Sequence, residues 1–196
     1  NTGLVLQVDR QGGGPATITG CRFENNRCTN NDCNGGGLYV LEQGSNTLSV
    51  AQSEFSGNEA GLNGGGLYTG NTVVMTTTQL LDNQARVIGG GVYAADGVDM
   101  ANSLLMGNQA GNNGGGLYLE SGDGRLVNDI LARNRAIYDG AGLYLDSSAG
   151  QVDIIHTTLS NPTSAAGQAI YANRGTVSII NTIVTSYTTA IQRASG

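Results

Sequence analysis

The sequence predicts an all-β protein: a single-stranded, right-handed parallel β-helix of about seven coils, each with about 25 residues and three short strands. Three observations predict this fold. A phrase of glycines followed by a tyrosine recurs along the chain, short apolar runs alternate with polar residues, and no segment shows helical periodicity. The 32 glycines also disfavour a helical protein, because glycine is a poor helix former.

The first repeated element is the phrase Gly-Gly-Gly-Leu-Tyr or a near copy of it. It ends at six tyrosines that are 25 to 29 residues apart: Tyr39, Tyr68, Tyr93, Tyr118, Tyr144 and Tyr171. Glycine tolerates the left-handed backbone that a recurring turn requires. Because side chains alternate along a strand, we expect the tyrosines to point outward and to stack on one face. They form either a structural ladder or a binding platform for sugar rings or a partner protein.

Two further elements complete each repeat. An apolar-x-x-Asn phrase, such as Phe55 to Asn58, precedes each glycine phrase, and a run with period 2 contains pairs such as Val73 and Met75. Each element is a candidate strand that pairs with its equivalent about 4.8 Å away in the next coil. The polar residues two positions beyond the period-2 run are predicted to form an internal ladder of hydrogen-bonded side chains: Asn102, Asn128, His156 and Asn181. For His156 this role is favoured over catalysis, since no serine or cysteine partner recurs near it.

The three cysteines lie close together in the first repeat. Cys28 and Cys33 fall in the longer first connection between the asparagine and the glycine phrase, and they are a candidate disulfide that leaves Cys21 free. No Cys-x-x-Cys spacing exists, which disfavours a zinc site, and no metal site is predicted. A disulfide favours an oxidising, extracytoplasmic compartment.

Two carboxylates are the candidate catalytic residues. Glu120 and Asp146 both lie two residues past a ladder tyrosine, in adjacent coils, so their backbones are expected about 5 Å apart. A carboxylate pair at that spacing could act in glycoside hydrolysis or hold Ca²⁺. The alternative is two solvated side chains at a strand end, which is common for surface carboxylates. The second interpretation is favoured, so the sequence predicts no cofactor and a non-enzymatic protein.

One outer face is predicted to turn from polar to apolar along the axis. Its apolar residues are Leu81, Leu104, Met106, Val127, Ile130, Ile155, Ile180 and Ile183. Arg22 and Glu54 occupy the equivalent positions in earlier repeats. Exposed apolar surface of this kind indicates an interface or a covering segment.

Charge and length limit the classes of partner. Nine basic residues against 15 acidic ones leave a net charge of −6, which disfavours nucleic acid and anionic membranes as partners. No apolar stretch approaches the roughly 18 residues of a membrane span. Residues 1–196 are predicted to form one β-helix domain, either an excerpt of a longer chain or a subunit that associates end to end.

The alternation of GG[GA][LIV] with FxxN resembles the repeats of the chlamydial polymorphic outer-membrane protein family, over roughly residues 3 to 192. More broadly, the chain is similar to right-handed β-helix passenger and surface proteins of bacteria. Here GGG[LV] replaces most of the family's GGA[ILV] phrases, and only two FxxN copies keep the phenylalanine. The resemblance implies secretion or surface display and an adhesive or structural role, and it implies no catalytic residue.

We therefore expect an extracellular or cell-surface structural and adhesive module that presents a flat binding face. Its expected partner is a host or neighbouring-cell surface protein, or a polysaccharide. The alternative is a carbohydrate-active enzyme, a glycoside hydrolase or polysaccharide lyase that uses Glu120 and Asp146. A second alternative, an ice-binding solenoid, requires a repeated threonine column, whereas Thr76 to Thr78 and Thr185 to Thr189 are local runs.

Overall fold

The computed structural model describes residues 6–10, 15–28, 31–42, 47–161 and 167–194. Short strands form where leucine and β-branched side chains alternate with polar ones, since such residues fit a half-buried pleated surface. In chain order the strands are β1 (Leu6–Arg10), β2 (Ala16–Thr19), β3 (Arg22–Glu24), β4 (Arg27–Cys28), β5 (Leu38–Glu42), β6 (Leu48–Ala51), β7 (Glu54–Ser56), β8 (Glu59–Ala60), β9 (Leu67–Thr69), β10 (Val73–Thr76), β11 (Gln79–Leu81), β12 (Gln84–Ala85), β13 (Val92–Ala94), β14 (Val98–Ala101), β15 (Leu104–Met106), β16 (Gln109–Ala110), β17 (Leu117–Val127), β18 (Ile130–Ala132), β19 (Arg135–Ala136), β20 (Leu143–Ile155), β21 (Thr158–Ser160), β22 (Gln168–Ala172), β23 (Thr176–Ile180), β24 (Ile183–Thr185) and β25 (Thr189–Arg193).

These strands form three sheets in which each strand pairs in parallel with its equivalent in the neighbouring coil. The first sheet has 13 strands in two columns, which β17 and β20 join because each of them runs through both columns. The second sheet has the seven strands β3, β7, β11, β15, β18, β21 and β24. The third sheet has the five two-residue strands β4, β8, β12, β16 and β19. The chain is therefore a parallel β-solenoid, as predicted.

The number of coils and the number of strands per coil differ from the prediction. Seven strands stand in the second sheet but only five in the third, so about five turns of the described chain carry strands in every sheet. The predicted count of about seven is too high for complete turns. The first four complete turns also have four strands rather than three, since a two-residue strand such as β12 follows the asparagine, whereas in the fifth turn β17 runs through both columns of the first sheet. A strand of two residues is too short to show a period-2 pattern in the sequence.

The interior of the solenoid is filled by one or two apolar side chains from most strands of the first two sheets, stacked from coil to coil. Leu67, Val92 and Leu117 stack in register in the first sheet, and each is fully buried. In the second sheet the rings of Phe23 and Phe55 are stacked with their centroids 4.7 Å apart. Because like residues lie on like, the interior packs in layers.

Left-handed backbone recurs at three corners of the solenoid. The first corner, after the second column of the first sheet, has φ between 49° and 56° at six non-glycine residues: Gln52, Thr77, Asn102, Asn128, His156 and Asn181. The predicted internal ladder of Asn102, Asn128, His156 and Asn181 is therefore wrong, because all four are exposed corner residues. In the described part of the chain, one side-chain hydrogen bond joins asparagines of this column: Asn128 Nδ2 donates to Asn102 Oδ1 at 3.5 Å.

The internal amide ladder is instead formed by the asparagines of the apolar-x-x-Asn phrases. Asn83 is fully buried, and its Nδ2 donates to Asn108 Oδ1 at 2.9 Å and to the carbonyl of Phe55 at 2.9 Å. Its Oδ1 accepts from the backbone N–H and from the Nδ2 of Asn58. Each amide thus completes the hydrogen bonds of two neighbouring coils, which a buried polar group requires.

A second internal ladder of hydroxyl groups follows the first corner. Each hydroxyl donates to the carbonyl two residues earlier in its own coil, at 2.8 to 3.1 Å, in Ser53, Thr78, Ser103, Thr157 and Thr182. Asp129 occupies the same column, between Ser103 and Thr157, and is buried. A carboxyl group thus stands where the other coils place a hydroxyl.

The glycine phrases bring neighbouring coils into backbone contact. The first glycine of each phrase has φ between 55° and 69°, with 67° at Gly89. A Cβ added at Gly90 would overlap the carbonyl of Gly115 and the backbone of Gln109. The glycines therefore serve both as a left-handed bend and as a surface without side chains.

Gly90→Ala is expected to lower the free energy of unfolding by about 3 kcal/mol or more, because the added methyl group meets rigid backbone in the next coil. The matched control is Gly20→Ala, where φ is +63° and no atom lies within 4 Å of the added Cβ. That change should cost only the left-handed penalty of about 1–2 kcal/mol. Urea unfolding of both variants measures the difference, and equal losses would contradict the close backbone approach.

Candidate functional site

The six tyrosines predicted as a binding face do form one continuous ladder. Strand register places each tyrosine opposite the next, for example Tyr93 opposite Tyr118 and Tyr118 opposite Tyr144. The ring centroids of successive tyrosines lie 4.6 to 5.5 Å apart. From Tyr68 onward the rings are within 9° of parallel, so each ring face covers the next.

This stacking limits what the ladder can offer a ligand. Tyr93, Tyr118 and Tyr144 are only 6%, 7% and 8% exposed although they lie outside the solenoid, where Ile88 and Ala95 also pack against them. A sugar ring that stacks on tyrosine needs a free ring face, and both faces of the middle rings are occupied. The end rings, Tyr39 and Tyr171, each have one face without a ladder neighbour. A binding role for the six tyrosines stays a prediction.

The two candidate carboxylates lie beside this ladder and accept hydrogen bonds from it. The Tyr93 hydroxyl donates to Glu120 Oε2, and the Tyr118 hydroxyl donates to Asp146 Oδ2 at 2.6 Å. Asn173 Nδ2 donates to Asp146 Oδ1 at 3.2 Å. Each acceptor follows the tyrosine of the next coil by two residues, which brings it to the same outer face.

Glu120 and Asp146 are not strictly equivalent in the strand register. Leu119 pairs with Leu145, but the next pair is Ser121 with Ser148, so β20 has one extra residue at this point. This bulge places Glu120 opposite two residues of the next coil. A catalytic role for the pair, or Ca²⁺ binding by it, stays a prediction. Among the described residues, no three His, Cys, Asp or Glu side chains are grouped so that they could hold a metal ion.

Burial holds the phenols of the inner ladder tyrosines in their neutral form. Burial raises the pKa of Tyr144 to about 12, and the negative charge of Asp146 adds to the effect. Burial also raises the pKa of Tyr93 and Tyr118, as do the hydrogen bonds that these phenols donate to Glu120 and Asp146. These phenols therefore act as hydrogen-bond donors to the carboxylates near neutral pH.

Alkaline titration should reveal this arrangement. A phenol whose folded pKa lies above its ordinary value of 10 binds its proton more tightly in the folded state, so stability is lost as pH rises above about 10. We expect the phenolate absorbance of Tyr93, Tyr118 and Tyr144 to develop mainly together with unfolding, above about pH 11. Tyr118→Leu should bring this transition to lower pH and destabilise the protein. Complete reversible ionisation of all tyrosines near pH 10, with the circular dichroism of the fold intact, would contradict the buried ladder.

The cysteines predicted to pair are joined in the structure. Cys28 and Cys33 form a disulfide with their Cα atoms 5.9 Å apart, and Cys21 is a free, exposed thiol. The bond closes the longer connection that follows β4. It lies at the same end of the stack as the ion pairs of Arg22 with Glu24 and Glu54.

Three of the eight residues predicted for the outer apolar surface are exposed, and the other five are half-buried. Ile130 and Ile183 are 47% and 61% exposed in the second sheet, and Ile180 is exposed across the first corner. Leu104 and Met106 are half-buried by their neighbours in the same columns. Two short apolar stretches of outer surface, one on the first sheet and one on the second sheet, therefore meet at the first corner.

Sequence reasoning missed a groove on the third sheet. It has a volume of about 420 Å³, and its polar side is formed by the residue that follows each ladder asparagine: Arg27, Glu59, Gln84, Gln109 and Arg135. Arg27 Nε lies 2.8 Å from Glu59 Oε2. The fixed offset from the asparagine is the signal that could have identified this column in the sequence.

A second depression, of about 410 Å³, lies on the first sheet between its two columns. It is lined by Asp99, Asp123 and Asp153 together with Arg125, whose Nη1 lies 3.6 Å from Asp99 Oδ1. Asp123 Oδ1 accepts a hydrogen bond from the backbone N–H of Gln151 at 2.9 Å. Arg125, Asp99 and Asp123 thus already have partners within the depression.

Comparison with known proteins identifies the family. A family model described as a right handed beta helix region matches residues 4–184, which include all six ladder tyrosines. The chain belongs to the right-handed β-helix family. No curated protein and no solved structure matches this β-helix. The narrower resemblance to the chlamydial repeats stays a prediction. None of the described residues of the β-helix form a helix that is long and apolar enough to cross a membrane.

Proposed function

We propose that this β-helix is a secreted or cell-surface structural module that binds a partner through its flat outer faces. The observation that carries the proposal is the set of side-chain ladders that connect successive coils on different sides of the stack. The side chain of Asn83, for example, forms hydrogen bonds with groups in both neighbouring coils. The ring of Tyr93 stacks on both Tyr68 and Tyr118. Such coupling makes a stiff rod whose outer residues keep fixed positions, which lowers the entropic cost of binding.

Two further features support an extracellular location. The Cys28–Cys33 disulfide is stable in an oxidising compartment and is rare in the cytosol. The glycine and apolar-x-x-Asn phrases resemble those of bacterial surface proteins, including the chlamydial polymorphic outer-membrane proteins. Both features favour display outside the cell, where adhesion to a neighbouring surface protein or to a polysaccharide is the expected activity.

The test is adhesion measured under flow. Beads that carry the chain would pass over immobilised polysaccharides and extracellular matrix proteins, and we expect retention on at least one surface about tenfold above that of albumin-coated beads. Beads that carry the chain after denaturation control for nonspecific adhesion. No retention on any surface would contradict the proposal.

A carbohydrate-active enzyme is the second candidate, because one observation favours it specifically. Asp146 is held from two sides, by the Tyr118 hydroxyl and by Asn173, which would fix its orientation towards a substrate. The free chain would be incubated with the same polysaccharides, and new reducing ends or unsaturated products would be measured. Turnover that is lost in the double variant Glu120→Ala, Asp146→Ala would establish the enzymatic function instead.

A further inference from the structure

The groove on the third sheet has a floor that no side chain can fill. The residue after each alanine of this sheet is in turn Gly61, Arg86, Gly111 and Ile137, so long side chains stand only in every second coil. A Cβ added at Gly111 would overlap the carbonyl oxygen of Arg86. The gap between Arg86 and Ile137 is therefore a consequence of the backbone and not of a movable side chain.

The groove is the site of an uncompensated positive charge. Arg27 is neutralised by Glu59, whereas Arg86 Nη1 donates to the uncharged amide of Asn31. Within the described residues, no carboxylate oxygen lies within 4 Å of the Arg135 guanidinium. Arg86 and Arg135 thus leave two positive charges in the groove of a chain whose net charge is −6. An anionic ligand fits this site, and guanidinium groups pair well with planar carboxylates.

The spacing of the polar side chains indicates what kind of anion. Gln84 and Gln109 stand in register between Glu59 and Arg135, one per coil, and each amide can both donate and accept. Equivalent groups recur about every 4.8 Å along the axis. An extended peptide presents like-facing side chains only about every 6.7 Å, twice the rise per residue, and does not match this repeat. Successive rings in a chain of pyranose sugars are separated by a distance close to the rise of one coil. Their hydroxyl groups can both donate to and accept from the two glutamine amides.

We propose that the third-sheet groove binds an acidic polysaccharide along the solenoid axis, with its carboxylates at Arg86 and Arg135 and its hydroxyl groups at Gln84 and Gln109. This inference rests on the proposed adhesive function and names the partner class and the face. It assigns binding to the sheet away from the tyrosine ladder and from Glu120 and Asp146.

The test is titration calorimetry of the folded chain with four probes: alginate oligomers, heparin oligomers, dextran and oligoglutamate. We expect alginate to bind, dextran not to bind, and Arg86→Gln and Arg135→Gln each to weaken alginate binding about tenfold. The matched control is Arg174→Gln, an exposed arginine outside the groove, which should leave binding unchanged. Circular dichroism confirms that each variant is folded.

Each other outcome overturns the inference in a distinguishable way. Equal weakening by Arg174→Gln would show nonspecific attraction, and oligoglutamate that binds as tightly as alginate would indicate an acidic peptide. Heparin binding without alginate binding would show that sulfate groups, and not carboxylates, are recognised. Failure of all acidic polysaccharides would refute the groove assignment, while retention of the coated beads on protein surfaces would leave the adhesive function standing.

Discussion

Asp129→Thr is expected to stabilise the protein at about pH 8 and to remove most of the pH dependence of its stability between about pH 4 and pH 8. Threonine would restore the hydroxyl that Thr78 and Thr157 supply in the same column. Its hydroxyl would donate to the carbonyl of Val127, two residues earlier, as the other members of the ladder do. The buried carboxyl group would be removed without leaving a cavity.

The reason lies in the two oxygens of Asp129. Oδ1 accepts from the backbone N–H of Ser103 at 2.7 Å, but Oδ2 is buried without a hydrogen-bond partner. Burial raises the pKa of Asp129 from 3.8 to about 7, although backbone hydrogen bonds from Ser103 and Val127 oppose the shift. The negative charge of Asp99 raises the pKa further, and Asp99 is itself 3.6 Å from the Arg125 guanidinium. A protonated carboxyl group can donate from Oδ2, as the hydroxyls of the ladder do.

The sign of the pH dependence follows from the raised pKa. The folded state binds the proton more tightly than the unfolded state, so the stabilisation is complete below pH 3.8 and is lost as pH rises through about 7. The shift of about three units corresponds to an upper limit of about 4 kcal/mol, at 1.36 kcal/mol per unit. Above about pH 7 the ionised carboxylate remains buried at full cost.

Urea unfolding at a series of pH values measures this effect. Asp129→Asn should behave like Asp129→Thr, because the amide is neutral. Its oxygen can accept from the backbone N–H of Ser103, and its NH2 group can donate to the carbonyl of Val127. Asp32→Asn is the control, since Asp32 is exposed and should leave the pH profile unchanged. If wild type and Asp129→Thr lost stability in parallel between about pH 4 and pH 8, the neutral carboxyl group would be refuted.

Asn83→Ala, at a buried position, is expected to destabilise the protein more than any single substitution of an exposed asparagine. The change leaves the carbonyl of Phe55, the backbone N–H of Asn58 and one Nδ2 proton of Asn58 without their partner. Each buried polar group left unpaired costs about 1–3 kcal/mol, so the total loss should be at least about 3 kcal/mol. The buried position excludes water as a ready substitute.

The control for Asn83→Ala is Asn102→Gly. Asn102 is exposed at φ +54°, a backbone conformation that glycine adopts without strain, so this change should cost less than about 0.5 kcal/mol. The midpoints of urea unfolding give both values. Comparable losses for the two variants would show that the corner asparagines carry as much of the stability as the buried ladder does.

The winding of the chain can be predicted from residue spacing because each coil repeats the same local pattern. The steps between Tyr68, Tyr93 and Tyr118 equal the length of one turn, and stacking of like residues follows directly. The inward position of residues such as Leu67 follows from the alternation of side chains along a strand. The family match over residues 4–184 agrees with this part of the prediction.

The direction of polar side chains at the corners could not be predicted in the same way. Asn102 lies two residues beyond an inward methionine, so strict alternation assigns it to the interior, but the left-handed φ at this residue turns it outward. The sequence shows that the asparagine at the position of Asn83 recurs in each repeat, but it does not show that the side chain is buried. The burial of Asn83 depends on the third glycine of the neighbouring phrase. A Cβ at Gly66 would lie 3.1 Å from Asn83 Cγ, so glycine makes room for the amide.

The turn length, the parallel pairing and the stacked columns can therefore be predicted from the spacing of residues along the chain. These properties repeat in every coil and depend only on the local sequence pattern. The burial of Asp129, the hydrogen bonds between the tyrosines and the carboxylates, and the opening of the third-sheet groove depend on which residue lies one coil away. Gly111 leaves a gap only because Arg86 and Ile137 flank it across the stack. Contacts between coils, about 25 residues apart in the chain, are fixed by the packed backbone and not by any single repeat.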